Sequence, residues 1–155
     1  MYKDFKREKH VISPIELQFD WSYYRGVDFG FVHPTGVIFM AINPKGIIYV
    51  YDEIYQTGLQ TPDLANLIKQ KTGGRNITLT VADSAQQSDI AELQKYGIGV
   101  VPVSKASGTR EEDWTTHKIR RVTEKLRNDK LFVFSNCVNT ISEFESYQYH
   151  EVTLT

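Results

Sequence analysis

Three β-rich runs in quick succession constrain this chain more than any other feature: YYRGVDFGF from Tyr23, GVIFMAI from Gly36 and IIYVYDEIY from Ile47. They are separated by HPTG and NPKG, whose Pro and Gly residues suit tight turns, and strands joined by so short a link pair antiparallel. A three-stranded antiparallel meander is the expectation. The period then changes. Thr61-Pro62 opens a segment in which Leu64, Leu67, Ile68 and Lys71 recur at helical spacing, with Pro near the first helical position and Gly73-Gly74 as the stop. Ile77 to Ala82 reads as a strand, SDIAELQKYG as a helix closed by Gly97, and Gly99 to Val103 as another strand. A crossover of this kind makes the two strands parallel. A helix from about Trp114 to Arg127, a short strand LFVF and a last helix from Thr140 to Tyr147 complete the order βββαβαβαβα. The fold class is therefore α/β, with a mixed central sheet of three antiparallel strands followed by parallel ones, flanked by helices.

Residues 1–22 mix charges with Ser13-Pro14 and carry no sustained period, so they are expected to form a linker or arm before one domain over 23–155. At 155 residues and 41% hydrophobic content the chain can bury one core. The 18 basic and 19 acidic residues leave a formal net charge of -1, so contact with nucleic acid must come from a local patch. The single Cys137 permits no internal disulfide and has no neighbouring His or Cys with which to hold zinc. No apolar run approaches the ~20 residues of a membrane span, and the start lacks the apolar stretch of a signal peptide, so no membrane partner is expected.

Two acids carry the functional argument. Asp28 ends a β-branched and aromatic run between Gly26 and Gly30, where the sheet should bury it, and acids are rarely tolerated inside a sheet unless paired or bound to metal. Asp83 closes the fourth strand, which should lie beside the first and bring the two carboxylates face to face. Such a pair attracts hard divalent cations, Mg2+ or Mn2+, and two ions held there can drive phosphodiester hydrolysis. Asp83 can equally be read as a cap of the helix that follows it. Glu53 shares the third strand with Asp52; one of the pair must face the site or solvent, which makes Glu53 a secondary candidate.

These residues resemble the nuclease domain of the large subunit of tailed-phage terminases, a ribonuclease H-like family. The resemblance runs from about Tyr24 to Tyr149 and is most specific in VADSAQQSDIAELQKYGIGVVPVSKASG and in the NTISEFESYQY tail. It implies a metal-dependent endonuclease that cuts concatemeric double-stranded viral DNA, with Asp28 and Asp83 as catalytic metal ligands for two Mg2+ or Mn2+ ions. It further implies a terminase ATPase domain, a small terminase subunit and a portal as partners, in the cytoplasm of an infected or lysogenic bacterial host. The family pattern continues to a further Asp past the tail segment, so the third metal ligand is expected beyond Thr155 and the domain is expected to lack its C-terminal end. Glu143, Glu145 and Glu151 are the acids nearest that position in sequence, and no G-x-x-x-x-G-K-[ST] phosphate loop of an ATPase motor occurs in the chain.

Between Ser104 and Arg127 seven basic residues stand against four acidic ones, the best basic patch in the chain. Lys105, Arg110, Lys118, Arg121 and Lys125 are the candidate DNA contacts, and Trp114, Ile119, Val122 and Leu126 the buried stripe of the same helix. A solvated face of mixed charge is the competing reading of that row. Three rival functions remain open. Asp28-Phe29-Gly30 followed by a turn also resembles the first phosphate motif of the actin and sugar-kinase fold, which would make the chain a nucleotide-binding fragment. The second rival is a junction-resolvase-like nuclease, and the third a non-catalytic DNA- or portal-docking module.

Overall fold

The computed structural model describes residues 2–104 and 121–146. Seven strands form one mixed sheet in the order β1-β7-β4-β3-β2-β5-β6: β1 Val11–Ile12, β2 Ser22–Asp28, β3 Thr35–Ile42, β4 Ile48–Gln56, β5 Ile77–Asp83, β6 Val101–Val103 and β7 Leu131–Phe134. Strands β2, β3 and β4 make the antiparallel meander; β5 joins β2 in parallel, β6 joins β5 in parallel, and β7 runs parallel to β4. The helices are α1 Arg7–His10, α2 Thr61–Thr72, α3 Gln87–Lys95, residues 121–127 as α4, and α5 Val138–Ser146. The ribonuclease H-like arrangement expected from the sequence is the one observed.

Local chemistry accounts for most boundaries. α2 has Pro62 in its first turn and ends on Gly73, whose φ of 59° supplies the left-handed cap that side chains with a Cβ adopt at a cost. Its Leu64, Ala65 and Ile68 are buried, as the helical period requires. β3 alternates without a break: Thr35, Val37, Phe39 and Ala41 are buried, while Gly36, Ile38, Met40 and Ile42 are half-buried on the opposite face. The fully buried face is covered by α2, as the hydrogen bond from Arg25 of β2 to Thr72 of α2 shows, and α3 packs against α2. The other face meets α5.

Two features differ from the sequence reading. β2 stops at Asp28 instead of running on to Phe31, and Asp28 is exposed at the strand end, not enclosed by the sheet. The N-terminal segment is packed on the domain: β1 pairs with β7, Phe5 and His10 are buried, and the Phe5 ring stacks 4.8 Å from Phe144. A four-residue helix and a two-residue strand are too short to carry a readable period, so only tertiary contact reveals them.

Candidate metal and nucleic-acid site

β2 and β5 are parallel neighbours with Val27 opposite Ala82, so Asp28 and Asp83 end the two strands side by side. Both lie on the face that carries Gly26 and Val81, and both line one cleft of about 490 Å³. In the antiparallel register Asp28 stands opposite Gly36, and a Cβ on Gly36 would meet no atom within 4 Å. The absence of a side chain there keeps the space around the Asp28 carboxylate open. Among the described residues that carboxylate has no hydrogen-bond or ion-pair partner. Asp83 accepts a 2.9 Å hydrogen bond from the Ala85 N–H through Oδ1 and so caps the 3-10 turn Ser84–Gln86. The capping role foreseen as its competing reading is thus present, and it coexists with a place in the cleft.

The two strand ends are tied together by Gln86. Its amide donates to the Phe29 carbonyl at 3.0 Å and accepts from the Phe29 N–H at 3.4 Å, so the turn after Asp83 grips the residue after Asp28. The loop that follows is locked from its other end: the Thr35 hydroxyl donates to the Gly30 carbonyl at 2.6 Å and accepts from the Gly30 N–H at 3.0 Å. Gly30 is obligatory here, because a Cβ would sit 2.4 Å from the His33 carbonyl oxygen and 2.7 Å from that of Pro34. The glycines flanking Asp28 were legible as a motif; Gln86 carried no signal in the sequence, since its partner lies 57 residues away, and Thr35 bonds within its own loop, five residues from Gly30.

Glu53 lines the same cleft, but its carboxylate is already engaged. Oε2 accepts from the Asn139 N–H at 3.1 Å and from its side-chain amide at 2.6 Å, and Oε1 accepts from the Thr140 N–H at 2.8 Å. These backbone donors belong to the first turn of α5, which lacks intrahelical acceptors for them, and a negative charge there also meets the positive end of the helix dipole. Glu53 faces the cleft because of a bulge. Met40 pairs with Val50 but Phe39 pairs with Asp52, which leaves Tyr51 as the extra residue. Unbroken alternation from Ile48 and Val50 would have turned Asp52 into the cleft; the bulge sends Asp52 to the other face, where Lys71 meets it at 3.0 Å, and aims Glu53 at α5.

Glu143 of α5 also lines the cleft, and Glu145 is paired instead with Arg7, which holds its carboxyl below the ordinary range. Among the described residues, no group of three or more His, Cys, Asp or Glu side chains is gathered closely enough to hold a metal ion. Of the candidate DNA contacts, Arg121 and Lys125 are exposed on α4 and line a second groove, of about 770 Å³, that shares Ile38, Thr140 and Glu143 with the acidic cleft. Lys105, Arg110 and Lys118, with Trp114 and Ile119 of the expected stripe and Glu151, lie outside the described residues; Leu126 is buried and Val122 half-buried, as expected.

A meander extended by parallel strands, with an acid at the end of each of two central neighbours, defines the ribonuclease H-like class. Residues 28–155 match the family described as the terminase RNase H-like domain, and the chain belongs to that family. Among curated proteins none matches at the level of sequence. Solved structures with the same fold include the large terminase of a thermophilic bacteriophage in complex with ADP, with a TM-score of 0.81 at 20% identity over 97% of this chain and 37% of that one. The P22 large terminase nuclease domain superposes with a TM-score of 0.79 at 14% identity, over 95% of this chain and 78% of that domain. The g2p large terminase nuclease domain of bacteriophage SPP1 with bound Mn gives 0.68 at 20% identity, over 92% and 81%. The chain thus spans little more than a third of the thermophilic phage protein.

Proposed function

We propose that this domain is a divalent-metal-dependent endodeoxyribonuclease that cuts concatemeric double-stranded DNA within a viral packaging terminase. The observation that carries the reading is the placement of Asp28 and Asp83 at adjacent ends of β2 and β5 in one cleft. Both offer hard oxygen donors in an open position, which suits Mg2+ or Mn2+, and the SPP1 relative is a nuclease domain with bound Mn. Two such ions, when bound, would supply Lewis-acid polarisation of the scissile phosphate and neutralise the charge that develops on it. The chain's own residues fix the geometry: Gln86 holds the two strand ends together, Thr35 locks the loop beyond Asp28, and Glu53 anchors α5 as the opposite wall. Arg121 and Lys125, on the adjoining groove, are suited to contact phosphates along the strand without reading sequence. Under this reading the partners are double-stranded DNA, a terminase ATPase domain, the small subunit and the portal, and the setting is the cytoplasm of a bacterial host. No described helix is long and apolar enough to cross a membrane.

The test is conversion of supercoiled plasmid by the purified chain in Mn2+ or Mg2+. Asp28→Ala and Asp83→Ala are each expected to lower cutting by more than about 100-fold with unchanged circular dichroism, because loss of an outer-shell partner alone costs about 10–100-fold. Wild-type cutting by either variant would refute the assignment.

A further inference from the structure

The loop between β2 and β3, which starts at Asp28, presents large apolar side chains to water. Phe31 is 55% exposed and Val32 85%. Tyr55, 46% exposed, lines the cleft and lies in register with Gly36, which is itself opposite Asp28. The Gly58 N–H donates to the Phe31 carbonyl at 2.9 Å, so the tip of this loop is tied to the turn after β4 at a point three residues past Tyr55.

The loop is not a loose surface. Gln86 holds the Phe29 backbone, Thr35 closes the loop on both polar groups of Gly30, and Gly58 holds Phe31. All of these bonds engage backbone atoms of the loop, and none involves the Phe31 or Val32 side chain. Neither side chain is among those packed against the core, whereas these bonds hold the backbone that carries them. An aromatic side chain carried on a backbone held in this way binds with less loss of backbone freedom.

Resting on the nuclease reading, the geometry points to Phe31 and Tyr55 as an aromatic rim that stacks on a nucleobase next to the phosphate lying at Asp28 and Asp83, with Val32 as an apolar wedge. The chemistry of the rim favours nucleic acid as the occupant. The cleft that Tyr55 lines carries the carboxylates of Asp28 and Asp83, where cations would hold a phosphate, with Glu53 and Glu143 toward α5; Tyr55, Phe31 and Val32 add aromatic and apolar surface on the β2–β3 side, which matches a base plane and not a second phosphate. Aromatic side chains stack on any base without preference for sequence, and apolar wedges enter base steps that open readily. The rim would thus favour DNA that is unpaired or easily unstacked at the cut.

The experiment uses the full chain with a duplex, a duplex carrying a central mismatch and the corresponding single strand, each with 2-aminopurine at the expected stacking position. Binding is read by anisotropy in Ca2+ and stacking by 2-aminopurine emission. Phe31→Ala and Tyr55→Ala are each expected to weaken binding to the mismatched and single-stranded probes by about tenfold, the scale of one lost base–aromatic stack, and to abolish the emission change. Tyr55→Phe and Phe31→Leu control for folding: Tyr55→Phe keeps the ring and should behave as wild type, and Phe31→Leu keeps bulk but not the π face and should lose the emission change. In Mn2+ the alanine variants should raise KM more than they lower kcat. Alanine variants that bind, quench and cut like wild type overturn the rim while the Asp28→Ala result still stands, and so does a wild-type chain whose binding leaves the probe emission unchanged. A change confined to self-association on chromatography, with DNA binding intact, would overturn it too and show that the rim meets a second copy instead. Cutting that survives Asp28→Ala is a separate failure, of the site itself.

Discussion

At the scale of single residues, the sheet face opposite the cleft buries polar groups that the sequence does not advertise. Arg25 is 8% exposed and has no carboxylate partner among the described residues; its guanidinium donates to the hydroxyls of Thr80 at 2.8 Å and Thr72 at 2.9 Å, and burial pushes its pKa down. Thr72 is the last residue of α2, so the negative end of that helix supplies part of the missing counter-charge. Nearby, the buried Tyr51 hydroxyl has no hydrogen-bond partner among the described residues, and burial raises its pKa from 10.0 to about 12, while Arg75 lies over its ring at 5.3 Å. Because the folded state holds this proton more tightly than the unfolded chain, the contribution is fully present below pH 10 and is lost as pH rises toward 12. Tyr51→Phe removes an unsatisfied polar atom and should leave neutral-pH stability unchanged or raise it by about 1 kcal/mol. Its denaturation midpoint should also fall less steeply between pH 10 and 12 than that of the wild type. A variant less stable than wild type at pH 7 would mean that the hydroxyl is satisfied in solution.

At the scale of elements, the bulge in β4 decides which acid serves the site. It frees the Glu53 N–H and the Tyr51 carbonyl from the ladder, and both find partners: Asp52 Oδ1 accepts from the first at 2.8 Å and the Asn136 amide donates to the second at 3.1 Å. With its free groups satisfied the bulge is a stable feature, and Glu53 becomes the cap of α5. Glu53→Gln keeps the length but places an NH2 against one of the helix N–H groups. It is expected to destabilise the domain by about 1–3 kcal/mol, the range for losing a charged hydrogen bond at a helix start, and to speed hydrogen exchange at Asn139 and Thr140. Calorimetric Mn2+ affinity should stay at the wild-type value; a loss of Mn2+ binding with normal exchange would make Glu53 a ligand and not a cap.

At the scale of the whole molecule, the N-terminal segment closes the far side of the domain. His10 is 1% exposed; its Nδ1 accepts from the Lys6 N–H at 2.9 Å, and its Nε2 lies 3.0 Å from the Leu126 carbonyl at the end of α4. Arg7 reaches Glu145 of α5, and Arg127 reaches Asp4 at 3.0 Å. β1 thereby occupies one sheet edge with two residues, and β6 occupies the other with three that include Pro102; short edges of this kind resist pairing with other chains. Removing residues 1–12 should lower Tm by roughly 5–10 °C, since burying Phe5 alone is worth about 2–3 kcal/mol and each kcal/mol shifts a domain of this size by about 2–4 °C. An unchanged Tm would reduce the segment to a passive arm.

What the sequence determined by itself is what local period, turn chemistry and element order encode: the meander from its three runs, α2 from its apolar spacing and its Gly73 stop, the parallel pair β5 and β6 from its crossover, and, from the ribonuclease H-like order of elements, β2 beside β5 and hence Asp28 and Asp83 at neighbouring strand ends. The elements need only the preferences of residues close in the chain and the handedness of a crossover, and the neighbouring of β2 and β5 needs in addition the order in which those elements follow one another. Tertiary structure alone decided that Glu53 and not Asp52 enters the cleft, that Gln86 ties the two strand ends together, that Asp28 stands exposed, and that residues expected to form an arm supply a strand and two buried rings. Most of these rest on a partner tens of residues away, Glu53 on Asn139, Gln86 on Phe29, Phe5 on Phe144. A bulge also shifts the facing of every residue after it by one, which a reading of alternation cannot detect until the register is known.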